Sequence, residues 1–370
     1  MKNNAWYGVE NVGEIASPAL LIYPDRVQEN IRRMIAIAGG ADRLCPHVKT
    51  HKLEPLTRMQ IDSGITKFKC ATIAEAEMVA TAGAANVLLS YQLVGPNIAR
   101  FVQLGKQFPN TTFSAIADNK VSIQELSVAG EAAGMKIPLL LDIDCGMGRT
   151  GIPAGDGALA LYRLMSSLPG VEADGLHVYD GHLHDSDLAE REKRCEAALA
   201  PAEKLREDLL KAGMDVRRMV VGGTPTFAIH ARRKDVECSP GTCVLWDEGY
   251  GSRCRDMEFL HAAMLLTRVV SKPGENRVCL DLGHKAVAAE NPHPRVIFPD
   301  LPGAKAVMHS EEHLVLETDQ ASQLSVGDAL FGIPWHICPT VALHAEAVVV
   351  ENGVATAKWP IDARKRRLSI

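Results

Sequence analysis

A lysine flanked by two histidines is the first feature of this chain that could carry chemistry. The segment Pro46–Lys52 reads PHVKTHK and follows a short apolar run typical of a β-strand. Alternation along that strand would turn His47 and Lys49 to the same side. A lysine at the end of a buried strand is desolvated, so its free amine can attack a carbonyl group. Taken alone, the segment is more typical of a surface loop with a solvated lysine, so the inference depends on the other motifs.

Two glycine–threonine turns follow later in the chain. Gly222–Thr226 comes directly after the apolar run Met219–Val221, and Ser239–Thr242 follows a short step further on. Free backbone N–H groups and hydroxyls in such turns form a concave anion site, and in barrel proteins the loops after the last strands commonly hold a phosphate. Each turn by itself could merely reverse the chain, but the pair favours phosphate binding.

Two more apolar runs end in ionisable residues. The segment Asp142–Gly151 places two carboxylates and Arg149 on a glycine-rich loop, and His177–Asp185 contains three histidines and two aspartates. Histidine is the side chain suited to proton transfer near neutral pH. The sequence therefore predicts an acid–base group in one of these loops.

His336 and Cys338 form an H-x-C pair near the C-terminus. On a strand this spacing directs the imidazole and the thiolate to the same face, where both could bind Zn²⁺. The spacing is weak evidence alone, since chance explains it about as well as a metal. The other eight cysteines include no C-x-x-C pair and are expected to pack as small apolar groups, without a disulfide framework.

From Pro18 to about Cys243, the sequence alternates between short apolar runs and amphipathic stretches, which predict the elements that position these groups. This pattern predicts repeated βα units and favours a (β/α)8 TIM-type barrel over an open doubly wound sheet, because no G-x-G-x-x-G follows the first strand. The eight candidate strands are Ala19–Tyr23, Arg43–Val48, Lys67–Ala71, Val87–Ser90, Thr112–Ala117, Ile137–Ile143, Ala173–Tyr179 and Met219–Gly222, with Val236–Cys238 as a possible ninth.

The sequence pattern changes after Gly251. Strand-like runs follow one another there, and no amphipathic helical segments lie between them. We therefore predict a barrel domain over residues 18–250 and a mainly β domain over 251–370 that carries the H-x-C pair. Residues 1–17 are expected to pack on this second domain, because the polar segment that ends at Pro18 does not continue into a helix.

Composition excludes several classes of protein. The 370 residues are 46% hydrophobic and 23% charged, as in an ordinary globular protein. A net charge of −5 argues against nucleic-acid binding. The absence of an apolar run of about 18 residues or of a signal-peptide core argues against a membrane span and predicts a cytoplasmic protein.

Taken together and in order, the motifs resemble the D-threonine aldolase and D-serine dehydratase family. These are fold-type III pyridoxal phosphate (PLP) enzymes related to the alanine racemase N-terminal barrel. The resemblance runs from about Pro18 to Trp359, and its motifs are Pro46–Lys52, Gly222–Thr224, Ser239–Thr242, Asp281–Lys285, Ser310–His313 and His336–Thr340.

The resemblance implies a role for each matching residue. Lys49 would bind PLP covalently, Arg149 and Tyr179 would lie beside it, and His336 with Cys338 would bind a divalent metal such as Zn²⁺, Mn²⁺ or Mg²⁺. The cofactor phosphate would be held by Gly222, Gly223, Thr224, Gly241 and Thr242, with Tyr250 bordering its pocket.

The implied activity is metal-assisted retro-aldol cleavage of a D-β-hydroxy-α-amino acid to glycine and an aldehyde. Dehydration of D-serine or D-3-hydroxyaspartate to a 2-oxo acid and ammonia needs the same parts and is the second hypothesis. The family's Tyr-His-Gly is replaced here by Tyr179-Asp180-Gly181, so the base is assigned to His184, with His182 as the second candidate.

Two alternative functions remain open. A non-catalytic PLP carrier would need neither the added β domain nor the metal pair, and a racemase would need a second base that the sequence does not single out. The resemblance also implies a homodimer, because relatives complete their sites across a subunit interface. The expected partner is a small D-amino acid.

Overall fold

The chain folds into two compact units, which the computed structural model describes for residues 5–370. The barrel unit comprises Arg33–Lys49, Glu54–Gly241 and Lys365–Ile370. The β unit comprises residues 5–32, Thr50–Leu53 and Thr242–Arg364. This division differs from the predicted boundaries, since residues 18–32 belong to the β unit and the barrel unit's main segment ends at Gly241.

Strands and helices are numbered in chain order. The strands are β1 Ala19–Ile22, β2 Lys67–Cys70, β3 Asn86–Leu89, β4 Thr112–Ala117, β5 Ile137–Asp144, β6 Ile152–Pro153, β7 Val171–Val178, β8 Arg218–Val221, β9 Glu237–Cys238, β10 Ala263–Gly274, β11 Arg277–Leu280, β12 Val296–Ile297, β13 Lys305–His309, β14 Leu314–Glu317, β15 Ala329–Pro334, β16 Glu346–Glu351 and β17 Val354–Pro360. The helices are α1 Pro24–Ala38, α2 Glu54–Asp62, α3 Ile73–Thr81, α4 Pro96–Gln107, α5 Lys120–Ala133, α6 Asp156–Ser167, α7 Leu188–Lys211, α8 Phe227–His230, α9 Glu248–Arg253 and α10 Ile337–Leu343.

A curled parallel sheet forms the barrel unit. Its strands follow the order β2-β3-β4-β5-β7-β8-β9, and β6 pairs with β5. Residues 44–48 connect the two edges, because Leu44 bridges to Cys238 of β9 and His47 bridges to Lys69 of β2, both in parallel orientation. The predicted barrel class is confirmed, although residues 44–48 form isolated bridges rather than a regular strand.

The barrel interior is packed with aliphatic side chains and one thiol. Cys45, Leu88, Ile116, Leu140 and Val220 form a buried cluster drawn from segment 44–48 and from β3, β4, β5 and β8. In parallel strands, residues paired in register point to the same face, so these five positions identify which side chains face inward.

The β unit contains a mixed nine-stranded sheet, as the predicted mainly β domain requires. Its main path is β13-β14-β11-β10-β1-β16-β17, and β15 pairs with both β10 and β12. Its core includes Leu21, Leu266, Ile333 and Val348. Among the described residues, no helix combines the length and apolar character that a membrane span requires.

The assignment of Ala19–Tyr23 to the barrel is wrong. Strand β1 pairs antiparallel with β10 and parallel with β16, so it lies in the sheet of the β unit. All four of its residues are buried. A fully apolar strand can occupy a buried position in either sheet, so the sequence does not distinguish between them. The predicted packing of the leader on this unit holds for Tyr7, Val9 and Ile15, which lie in its core, while residues 1–4 are outside the described residues.

Candidate active site

A cavity of about 550 Å³ opens in the barrel unit at the carboxyl ends of its strands. The polar residues that line it come from segment 44–49, from β2, β5 and β7, and from the loops after β3, β5 and β7. They are His47, Lys49, Lys69, Ser90, Tyr91, Gln92, Asp142, Arg149, Thr150, His177 and Tyr179. The structure thus brings His47, Lys49, Arg149 and Tyr179 together, as the sequence predicts.

Three cations surround the ring of Tyr179. The Lys49 and Lys69 Nζ atoms lie 5.7 Å and 5.4 Å from the ring centroid, and the Arg149 Cζ lies 5.1 Å from it. Such distances are within or near the range of cation–π attraction. Together they make this side of the cavity strongly positive, which suits an anionic ligand.

Lys69 is the residue of this group that sequence reasoning missed. It is 2% exposed, and burial lowers its pKa to about 8. The available signal was the sequence Lys67-Phe68-Lys69 in a barrel strand, since alternation puts both lysines on the face opposite Phe68.

The tyrosine ring is seated between two glycines. A Cβ on Gly181 would lie 2.4 Å from Tyr179 ring atoms, and one on Gly223 would lie 3.1 Å from Cε2. Any side chain at Gly181 would therefore displace the ring, so glycine here sets the position of Tyr179.

A hydrogen-bonded carboxylate and imidazole face the cavity from β5 and β7. His177 Nδ1 lies 2.7 Å from Asp142 Oδ1, and Gln92 Nε2 donates to Asp142 Oδ2 at 2.7 Å. Burial acts to raise the pKa of Asp142, but hydrogen bonds from His177, Thr150 and Gln92 outweigh it, so this pKa lies below its usual value. Burial lowers the pKa of His177 despite the contact with Asp142. The buried Nε2 of His177 has no hydrogen-bond partner among residues 5–370.

The two glycine–threonine turns meet in the barrel unit. Thr224 Oγ1 accepts a hydrogen bond from the Gly241 N–H at 3.1 Å, and Thr226 Oγ1 accepts one from Gly223 at 3.3 Å. Gly222 has φ +72°, and a Cβ there would lie 2.5 Å from His230 Cδ2.

Ser239 Oγ is buried beside these turns and has no hydrogen-bond partner within the described part of the chain. Because a buried hydroxyl without a partner is costly, the donor set of the turns fits a bound phosphate.

A buried network connects the Tyr179–Gly181 turn to the Gly222–Thr226 turn. Asp180 accepts a hydrogen bond from Thr226 Oγ1 at 2.9 Å, and its other oxygen lies 2.7 Å from His230 Nε2. Cys195 Sγ lies 3.4 Å from the same nitrogen. The ligand atoms of Asp180, Cys195 and His230 lie within 4.8 Å of one another, a spacing that could accept a metal ion. Since both carboxylate oxygens already have hydrogen-bond partners, the network is satisfied without an ion.

The two histidines assigned as the base do not line the cavity. His184 is exposed, and His182 is partly buried, with its Nε2 3.3 Å from the position of a Cβ on Gly146. Both lie in the loop between β7 and α7, which the sequence cannot orient.

The H-x-C pair lies in the β unit at a strand–helix junction. Strand β15 ends at Pro334, and α10 begins at Ile337 with His336 as its N-cap, so the expectation that the pair lies on a strand is wrong. Pro339 favours the first turn of a helix, which explains why the strand stops here. Cys338 Sγ lies 3.1 Å from Thr50 Oγ1 and 3.5 Å from Thr242 Oγ1.

His336 faces anionic groups. Burial acts to lower its pKa, but Cys338, Glu290 and Asp247 outweigh it and raise the pKa to about 9. Glu290 is hydrogen-bonded to His336 Nδ1. An imidazole and a thiol at this spacing are donor types that bind divalent cations such as Zn²⁺.

The last predicted residue, Tyr250, is also in the β unit. Its N–H donates to Asp247 Oδ1 at 3.0 Å, and its ring stacks on Trp246 with centroids 5.9 Å apart.

Comparison with known proteins gives the family. A parallel barrel with a basic cavity at the carboxyl ends of its strands, joined to a β unit, defines the architectural class. The family described as alanine racemase, N-terminal domain matches residues 22–247, and a putative serine dehydratase domain matches residues 262–350. The chain belongs to the alanine racemase N-terminal domain family.

Its relatives include two aldolases. The chain is 31% identical to a D-threonine aldolase from an Arthrobacter species, over 95% of this chain and 94% of that protein. It is 28% identical to a 3-hydroxy-D-aspartate aldolase from Paracoccus denitrificans, over 95% of this chain and 92% of that protein. The crystal structure of D-threonine aldolase from Filomicrobium marinum has a TM-score of 0.89 and 28% identity, covering 98% of this chain and 99% of that one.

Proposed function

We propose that this protein is a PLP-dependent, metal-assisted lyase that cleaves D-β-hydroxy-α-amino acids to glycine and an aldehyde. The observation that carries the proposal is the convergence of Lys49, Arg149 and Tyr179 on one cavity. The similarity to D-threonine aldolase and 3-hydroxy-D-aspartate aldolase over nearly the whole chain supports the aldol reaction and the D configuration.

Lys49 is the proposed point of cofactor attachment, with Arg149 and Tyr179 beside it. The phosphate would be bound by the turns containing Gly222, Gly223, Thr224, Gly241 and Thr242, near Tyr250. When bound, PLP supplies an electron sink that stabilises negative charge at Cα. The buried Ser239 hydroxyl, which has no hydrogen-bond partner among the described residues, supplies a donor to this site.

His336 and Cys338 are the proposed ligands of a divalent metal, Zn²⁺, Mn²⁺ or Mg²⁺. A cation there would make a bound hydroxyl group more acidic and so assist cleavage. Sulfur and imidazole ligands suit Zn²⁺ better than Mg²⁺. The buried group Asp180, Cys195 and His230 is the competing candidate, and its internal hydrogen bonds weigh against it.

Dehydration is the second candidate, and the match of residues 262–350 to a putative serine dehydratase domain favours it. In that reaction the same groups would promote loss of the β-hydroxyl group as water, giving a 2-oxo acid and ammonia. A non-catalytic PLP carrier would leave both the metal pair and the β unit without a role.

The test is a substrate panel with added metal. D-threonine, D-3-hydroxyaspartate and D-serine, each with its L enantiomer as the control, are assayed separately for glycine, aldehyde, 2-oxo acid and ammonia. We expect glycine and aldehyde from the D substrates, and no activity in Lys49→Ala. A 2-oxo acid and ammonia would establish the dehydratase instead, and no product with any substrate would refute both.

We further propose a cytoplasmic homodimer, on the family resemblance alone. Light scattering on the purified holoenzyme would test the subunit number, and a monomer would refute it.

A further inference from the structure

Lys69 occupies a position where the fold leaves a buried amine without an ion pair among the described residues, although the Tyr179 ring lies 5.4 Å from its Nζ. It pairs in register with Leu88 and bridges to His47, and Leu88 belongs to the interior cluster. The Lys69 side chain therefore enters the barrel interior and lines the cavity.

Lys67 provides the comparison within the same strand. Two residues earlier on β2, it points to the same face, and its Nζ lies 3.0 Å from Glu237 Oε1. Lys69 has no ion pair or hydrogen bond from its amine among the described residues, although it is less exposed. Burying a charge without a partner is costly unless the group is used or neutralised. Lys67 thus has a structural partner, and Lys69 does not.

The surroundings of Lys69 make its amine a proton acceptor near neutral pH. Burial is the dominant influence and lowers its pKa to about 8; Lys49 acts in the same direction, while Cys45, Asp180 and Asp142 act against it. Arg149 is a further cation beside the same tyrosine ring. General bases work best when their pKa lies close to the working pH, and lysines tuned to about 7–8 meet that condition.

We propose that Lys69 is the general base of the lyase reaction, accepting the proton of the substrate β-hydroxyl group. This inference rests on the proposed function. As the O–H bond breaks, its electron pair forms the aldehyde C=O bond, and the Cα–Cβ bond breaks. Bound PLP would supply the conjugated system that accepts the Cα–Cβ electron pair. Lys69 is left as an ammonium group, and returning a proton to Cα completes glycine and restores the free amine.

Two other groups are weaker candidates. Burial lowers the pKa of His177, which makes it a poorer proton acceptor than Lys69. His184 is exposed and outside the cavity lining. Lys69 lines the cavity, is buried, and has an amine without an ion pair or hydrogen bond among the described residues.

The experiment compares Lys69→Arg, Lys69→Ala and the control Lys67→Arg in the holoenzyme. Arginine keeps the positive charge but cannot act as a base near neutral pH. We expect kcat to fall about 10²–10⁴-fold in Lys69→Arg and Lys69→Ala, with PLP content unchanged by absorbance. Exogenous methylamine should restore part of the activity of Lys69→Ala. Lys67→Arg, which can keep the ion pair with Glu237, should retain activity.

A second readout does not depend on turnover. Acylation of lysines in the apoprotein, followed by mass spectrometry as a function of pH, should show a midpoint near pH 8 for Lys69. Borohydride reduction of the holoenzyme should attach the cofactor to Lys49.

The outcomes separate the two claims. An active wild type with an equally active Lys69→Arg variant would overturn the role of Lys69 and leave the lyase standing. Cofactor attachment to Lys69 would also overturn it. A wild type inactive on every substrate would instead refute the proposed function, while the acylation midpoint would still report on the amine.

Discussion

Thr224 Oγ1 accepts a hydrogen bond from the Gly241 N–H at 3.1 Å, and this contact connects two turns whose bonded residues are 17 positions apart in sequence. One turn follows β8 and the other follows β9. The hydroxyl therefore stabilises the proposed phosphate site by fixing the distance between its two halves.

Replacing Thr224 by valine should weaken PLP binding. Loss of a hydrogen bond worth about 0.5–1.5 kcal/mol corresponds to a two- to tenfold higher Kd. PLP titration into the apoprotein, followed by absorbance, measures this change. Thr224→Ser keeps the hydroxyl and should bind nearly as the wild type does; equal affinities in both variants would show that the contact is irrelevant to the cofactor.

Gly222→Ala should destabilise the protein more than Gly213→Ala. Both glycines have a positive φ, +72° and +75°, so each alanine costs about 1–2 kcal/mol of backbone strain. Only at Gly222 does the new Cβ overlap a neighbour, His230, and overlap of this kind adds about 1–3 kcal/mol. Urea unfolding of the two variants gives the difference. An equal loss of unfolding free energy in the two variants would mean that the turn at Gly222 adjusts to the new Cβ without an energetic penalty.

Removal of Cys338 should remove the metal. Cys338→Ser is expected to lower metal content well below one ion per chain and to reduce activity at least about 100-fold, since metal catalysis contributes several kcal/mol. Cys195→Ser is the matched control, because Cys195 belongs to the competing buried group. Metal analysis that shows loss in Cys195→Ser and not in Cys338→Ser would reverse the assignment.

His51 should make the protein sensitive to acid. Burial lowers its pKa to about 3, whereas the unfolded chain binds a proton near pH 6.5. The folded state is therefore fully favoured above pH 6.5, and its advantage declines as pH falls from there towards about 3.

Between pH 7 and pH 5 this histidine should account for about 2 kcal/mol of lost unfolding free energy. Urea unfolding at the two pH values, for the wild type and His51→Asn, isolates that share. The asparagine retains an acceptor for the Leu53 N–H, which now donates to His51 Nδ1 at 3.1 Å. An equal loss in both proteins would assign the acid sensitivity to other groups.

The amino-acid sequence determined the alternating βα architecture and the β unit, and it identified Lys49, Arg149, Tyr179 and the two glycine–threonine turns as candidate site residues. These follow from local features: hydrophobic period, the residue types at strand ends, and the order of short motifs. Each of them can be recognised within about ten residues, so no knowledge of distant partners is needed.

Tertiary structure alone decided which sheet receives β1, where the H-x-C pair lies, and which side chains reach the cavity. An apolar strand such as Ala19–Ile22 fits either sheet, and only its pairing with β10 and β16 selects the β unit. Likewise, Lys67 and Lys69 are the same residue type on the same face of β2. Among the described residues, only Lys67 of the two forms an ion pair, because its partner Glu237 lies on a strand about 170 residues away. Charge compensation in a barrel is non-local, so the sequence could not show that Lys69 lacks the ion pair that Lys67 has.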